Sequence, residues 1–280
     1  MLVPEEKMNT TLSSRPDGWI SKVPEVTVFF WIIKVLGTTV GETAADYLNM
    51  SLGLGLHGAT LVMGSLFVVA LFIQLRAKKY IPWVYWLTVI LISIVGTLIT
   101  DNLSDRLHVP LAVSTVVFSV LLIVTFVVWF LNEKTLSIHS IFTLKRELFY
   151  WLAILFTFAL GTAGGDFMGE ALHLGYLVSL SIFAGAILVI GLAYRFRALG
   201  SVLSFWLAYI LTRPLGASLG DLLTQKTDGT GFGLGSTGGL GFGKGPVNLV
   251  FFVLILGLVV FLSLTRVDRP RDEGRLEPEK

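Results

Sequence analysis

The stretch WIIKVLGTTVGETAAD, residues 31–46, returns three more times along the chain, as WLTVILISIVGTLITD at 86–101, WLAILFTFALGTAGGD at 151–166 and WLAYILTRPLGASLGD at 206–221. In each copy a glycine follows the tryptophan by ten residues (Gly41, Gly96, Gly161, Gly216) and an aspartate follows the glycine by five (Asp46, Asp101, Asp166, Asp221). Such a pattern does not recur four times by chance, so the chain is read as a fourfold internal duplication. The tryptophans Trp31, Trp86, Trp151 and Trp206 stand 55, 65 and 55 residues apart. A leucine also stands six residues past each of the first three aspartates, at Leu52, Leu107 and Leu172.

Composition places these repeats in a membrane. The 280 residues are 54% hydrophobic and 14% charged, with a mean hydropathy of +0.78, against about 25% charged residues in an ordinary soluble domain. A water-soluble enzyme is thereby excluded, because the polar shell it needs is missing. Cysteine is absent, which removes disulfides, thiolate metal sites and cysteine nucleophiles.

A helix crosses a bilayer with about 20 apolar residues. Dividing the chain at its charged and Pro/Gly-rich breaks predicts eight spans, near 26–48, 57–75, 81–103, 111–131, 148–171, 176–194, 201–224 and 247–265. The expected fold is an all-α membrane protein of four tandem two-helix hairpins with parallel pseudo-symmetry. Residues 1–25 are read as a polar tail and not a signal peptide. Repeats then follow at 26–78, 79–134, 146–198 and 199–265, the last holding a glycine-rich exterior loop at 225–246. A charged, disordered tail is expected at 266–280. Sixteen lysines and arginines fall on the side of the termini and three (Arg106, Lys226, Lys244) on the other. That bias predicts both termini in the cytoplasm.

The four repeats and their leading tryptophans resemble a family of bacterial multi-pass membrane proteins, described as uncharacterised and membrane-anchored, built from a fourfold repeat of unknown function. The resemblance spans roughly residues 22–265, rests on Trp31, Trp86, Trp151 and Trp206, and implies an inner-membrane protein of eight helices. It carries no substrate and no catalytic residues. The aromatic residues around each tryptophan are expected to form an interfacial belt.

Ionisable residues inside a span cost at least ~2.5–3.5 kcal/mol each and persist where they face water, a partner or the bundle interior. Lys34, Thr38, Glu42 and Asp46 follow one another at four-residue spacing, as do Ser93, Thr97, Asp101 and Asp105. Thr162, Asp166 and Glu170 repeat the pattern, and the fourth copy carries Arg213 and Asp221. Such spacing puts each set on one helical face. Seven carboxylates (Glu42, Asp46, Asp101, Asp105, Asp166, Glu170, Asp221), supported by Lys34, Thr38, Thr97, Thr100, Thr162 and Arg213, are thus expected to line one cavity between the odd helices. Oxygen ligands suit hard cations such as Mn²⁺, Mg²⁺ or Ca²⁺, and crowded carboxylates that cannot all ionise together would exchange such a cation for protons. A plainer reading has the aspartates facing solvent at helix ends, or Lys34 and Arg213 neutralising the carboxylates as a structural network. Lys34 is expected to pair with Glu42 or a neighbouring helix, and Arg213 with Asp46 or Asp166.

The glycines read as packing faces, with local unwinding beside Gly164-Gly165-Asp166 or a kink at Pro214 as the alternative. His57, His108 and His173 are placed on the outer side and His139 on the cytoplasmic side, without metal-binding spacing. The stretch from Gly238 to Gly245 nearly matches a phosphate-binding loop, but Gly245 stands where a Ser or Thr is required, so nucleotide binding is rejected in favour of a flexible lid or linker. The even spans, almost wholly apolar, are expected to form an outer ring.

The function expected from these features is transport of a small cation, foremost a divalent metal such as manganese, by proton exchange. Residues 22–140 would rock against 141–265. The rivals are a proton-coupled carrier of a small organic anion using Lys34 and Arg213, and a non-transporting sensor or assembly module. No enzyme activity, no cofactor and no nucleic-acid partner is expected; the bilayer is the partner, and a homo-oligomer is left open.

Overall fold

The computed structural model describes residues 21–226 and 238–270; the first twenty residues, the centre of the glycine-rich loop and the last ten residues lie outside the described residues. Among the described residues, eight helices are long and apolar enough to cross a bilayer. They are α1 (Val28–Asp46), α2 (Gly55–Arg76), α3 (Pro82–Asp101), α4 (Leu111–Glu133), α5 (Leu144–Asp166), α6 (Tyr176–Arg195), α7 (Ser201–Thr224) and α8 (Lys244–Thr265). Local chemistry sets their starts. The side chains of Thr27 and Thr143 accept from Phe30 N and Arg146 N at the heads of α1 and α5, and Pro82 opens α3 where no amide hydrogen is needed.

At the first three repeat aspartates the helix widens into a single π turn, at Tyr47–Ser51, Asn102–Arg106 and Phe167–Ala171. The repeated leucine closes each turn: the amides of Leu52, Leu107 and Leu172 donate to the carbonyls of Tyr47, Asn102 and Phe167 at 2.9, 3.1 and 2.9 Å. The next residue is left-handed each time, with φ of 67° at Gly53 and 53° at both His108 and His173. His108 and His173 are therefore the counterparts of Gly53, exposed at a chain reversal, and His57 belongs inside α2. No unwinding occurs at Gly164-Gly165, and α7 stays helical through Pro214.

The odd helices form a closed inner ring, α1 against α3, α3 against α5, α5 against α7 and α7 against α1. One contact repeats around it. A Cβ placed on Gly41 would stand 2.7 Å from Ser93 Cβ, on Gly96 2.7 Å from Phe158 Cβ, on Gly161 2.9 Å from Pro214 Cδ beside Arg213, and on Gly216 2.6 Å from Thr38 Cβ. Each glycine thus receives the residue three positions before the glycine of the next repeat, and the fourth receives the first. Without a hydrophobic drive between helices in lipid, such close backbone approach is what holds a bundle together.

The two helices of a repeat are not each other's main partners, as a hairpin would require. Instead α2 lies on α3, α4 on α5, α6 on α7 and α8 on α1. Each second helix packs on the next repeat, so the four units interlock. The apolar windows of the odd helices are 67, 83, 61 and 61% buried and those of the even helices 17, 22, 17 and 28%, which places the even helices outside.

The residue before each repeat tryptophan (Phe30, Tyr85, Tyr150, Phe205) is buried and touches the next repeat's tryptophan. The ring centroids are 5.5 Å apart for Phe30–Trp86, 5.8 Å for Tyr85–Trp151, 6.2 Å for Tyr150–Trp206 and 5.8 Å for Phe205–Trp31. A Tyr85–Tyr150 hydroxyl hydrogen bond of 2.6 Å completes an aromatic collar across the bundle. Trp86, Trp151 and Trp206 are buried in it and do not form an interfacial belt. Their periodicity matched a belt because both arrangements need an aromatic residue at a fixed depth.

Residues 21–25, read as part of a polar tail, are bound beneath the collar. Lys22 Nζ reaches Glu147 Oε2 at 2.7 Å and Leu75 O at 3.0 Å. Glu147 also accepts from Gln74 Nε2 at 3.1 Å. The far end of the chain joins in, with Glu25 N donating to Asp268 O at 3.0 Å and the Tyr80 hydroxyl to Asp268 Oδ2. Residues 266–270 are therefore an ordered part of the bundle's end.

Burial pushes the Asp268 carboxyl above its usual range, opposed by the Tyr80 hydrogen bond, and burial pushes the Tyr80 hydroxyl up as well. A raised carboxyl favours the folded state while protonated, so its contribution is lost as pH climbs from the ordinary value of 3.8 through the raised one. Melting temperature measured against pH should show Asp268→Asn gaining on wild type over that window. Filling a glycine contact tests the ring. Gly96→Val should lower detergent-solubilised stability by about 1–3 kcal/mol through overpacking, whereas Gly64→Ala, inside α2 with nothing within 4 Å, should hold or raise the melting temperature.

Candidate functional site

The fourfold contact stacks equivalent residues in layers between the odd helices, one helical turn apart. The layer next to the collar holds Lys34, fully buried. Its Nζ lies 3.9 Å from the ring centroids of both Phe158 and Tyr209 and has no hydrogen-bond partner among the described residues. The expected pairing of Lys34 with Glu42 is not made, since Lys34 is held by ring faces instead.

The next layer supplies Arg213, also fully buried, where the other repeats have Thr38, Ser93 and Phe158. Its Nη2 meets Glu42 Oε2 at 2.7 Å, Thr162 Oγ1 at 2.6 Å and Thr97 Oγ1, while Nη1 donates to Thr38 O at 3.2 Å. Glu42, Thr97 and Thr162 occupy one equivalent position in three repeats, and the fourth, Ala217, leaves room for the guanidinium. Arg213 therefore crosses the centre of the bundle and touches all three other odd helices. The expected partners Asp46 and Asp166 are replaced by Glu42, because the side chain reaches one turn and not two.

Beyond this layer carboxylate oxygens of Glu42, Asp166 and Asp221 lie within 4.8 Å of one another. Glu42 and Asp221 are buried and Asp166 half-buried. These three come from three repeats and converge because Glu42 stands one turn deeper than the aspartate ring. Asp221 is touched by the Gln225 amide at 3.5 Å, and Asp166 has no ion-pair partner among the described residues. Three carboxylates, one of them on a guanidinium, make a cluster of oxygen ligands of the kind that holds a hard divalent cation or protons.

The other candidates are placed elsewhere. Asp46 is taken by Lys244 at 2.6 Å, the lysine of the stretch that resembles a phosphate-binding loop. That stretch covers the end of α7, with Leu240 N and Phe242 N donating to Leu222 O and Leu223 O at 2.7 and 3.0 Å. A Cβ on Gly239 would stand 2.6–2.8 Å from three backbone carbonyls there, so glycine is required. Asp101 is half-buried and lies outside the triad. Asp105 is exposed, and so is Glu170, which accepts from the Tyr176 hydroxyl at 3.1 Å. Thr100 Oγ1 donates to Ala159 O at 3.1 Å and serves the α3–α5 contact.

Sequence reasoning missed Asn248, whose buried Oδ1 accepts from Thr43 at 2.7 Å and ties α8 to α1; a lone amide in an apolar span was the available signal. A cavity of about 550 Å³ between α1, α6, α7 and residues 136–139 has walls that include Trp31, Ile190 and Phe205, and none of the candidate carboxylates.

No curated protein and no solved structure matches the chain. The family model described as Repeat of Unknown Function (DUF347) matches residues 29–80, 84–135, 149–198 and 204–268. Four matches, one to each tryptophan-led unit and together spanning most of the chain, make this protein a member of that repeat family.

Proposed function

We propose that the protein is a polytopic transporter of a small cation in a bacterial inner membrane, with both termini cytoplasmic and a divalent metal such as manganese as substrate. One observation carries this reading: Glu42, Asp166 and Asp221 bring carboxylate oxygens from three repeats within 4.8 Å, with the Arg213 guanidinium paired to Glu42 among them. Ionised, the group carries two negative charges beyond those Arg213 balances. One divalent cation or two protons neutralise them, so exchange of one for the other changes no net charge in the bundle. A buried charge left unbalanced is expensive, and that expense favours strict exchange over leak.

The lysine and arginine bias of the loops supports the orientation, with the aspartate end outward and the collar inward. The carboxylates then face the outer side, while Arg213, Lys34 and the collar close the inner one. Hard oxygen ligands without sulfur or imidazole favour Mn²⁺, Mg²⁺ or Ca²⁺ over softer metals. An organic anion has less to bind, since the Arg213 Nη groups already meet Glu42, Thr38, Thr97 and Thr162.

Proteoliposomes loaded at one pH and diluted into another test this. Mn²⁺ uptake should follow the proton gradient, and Asp166→Asn and Asp221→Asn should each cut it at least about tenfold, an effect of ~1.4 kcal/mol or more, without loss of folding. Asp105→Asn should transport normally. Wild-type flux in both triad variants would remove the proposal.

A further inference from the structure

Resting on the cation reading, we propose that Arg213 is the resident competitor of the transported cation: the guanidinium and the entering metal exchange possession of Glu42. Glu42 is the one triad carboxylate with an ion-pair partner among the described residues, at 2.7 Å. A divalent cation that takes three carboxylate ligands must therefore draw Glu42 away from Arg213 or share it.

The hydrogen-bond inventory around Arg213 makes that exchange feasible. Nη2 carries two hydrogens and has three acceptors, Glu42 Oε2, Thr162 Oγ1 and Thr97 Oγ1. When Glu42 leaves, the two threonine hydroxyls match the two hydrogens, and Nη1 keeps Thr38 O. Nε lacks a partner among the described residues with or without Glu42, and no further donor is orphaned, so the Nη groups keep acceptors without the carboxylate. That set is neutral, and release of Glu42 to the metal leaves Arg213 facing the bound cation without its carboxylate. The loaded state is thus repulsive along the bundle axis, and the repulsion lowers affinity and drives release.

This assigns opposite effects to Arg213 on binding and on turnover. Equilibrium Mn²⁺ binding to the purified full chain should be at least tenfold tighter in Arg213→Gln than in wild type, while proteoliposome flux falls because the metal is not expelled. A merely structural arginine would weaken both. The double variant Thr97→Val/Thr162→Val keeps every charge and removes the alternative partners. In it Arg213 clings to Glu42, and Mn²⁺ binding should weaken several-fold, which keeps the test decisive where Arg213→Gln fails to fold. Folded Arg213→Gln with unchanged or weaker affinity overturns the competition, as does an unaltered double variant. Wild-type protein that binds no divalent cation overturns the transport reading itself and the competition with it.

Discussion

A glycine in each odd helix accepts the side chain, or the backbone beside it, that stands three residues before the matching glycine of the next helix, and the fourth contact returns to the first. In lipid this close approach does what apolar burial does in water. It brings four helices near enough that a side chain from one reaches the other three, and it aligns equivalent residues in layers. The aromatic collar, the Arg213 cluster and the carboxylate triad are successive layers of that stack. The even helices, each lying on the following repeat, lock the ring from outside.

The Arg213 cluster lies where the repeats have diverged. The aspartate layer is the same in all four repeats, but the two layers beneath it are not. One layer holds Thr38, Ser93, Phe158 and Arg213, and the next Glu42, Thr97, Thr162 and Ala217. A single guanidinium faces a single glutamate, two threonines add hydrogen bonds to it, and the alanine supplies space. Lys244, from the last repeat, takes Asp46 and leaves the triad asymmetric.

The Trp–Gly–Asp spacing and the apolar runs made the fourfold repeat, the eight spans, the buried polar stripe and the outer position of the even helices legible in the sequence. Periodicity assigns a residue to a face and a depth; it does not say which neighbour fills the opposite face. For that reason the two helices of a repeat looked like a hairpin, although the π turn and the left-handed residue after it carry the chain onto the next unit. Burial hid the role of the collar, because Phe30, Tyr85, Tyr150 and Phe205 carry the same aromatic signal inside as at an interface. Seven carboxylates shared one pattern, and only packing distinguishes Glu42, Asp166 and Asp221 from Asp105 and Glu170 at exposed turns.

Anomalous diffraction from crystals of the full chain grown with Mn²⁺ tests the central claim most directly. The account predicts a manganese peak coordinated by Glu42, Asp166 and Asp221, with Glu42 shifted off Arg213 and the guanidinium resting on Thr97 and Thr162. A saturated crystal with Arg213 still bound to Glu42 and no peak among these three carboxylates would contradict it.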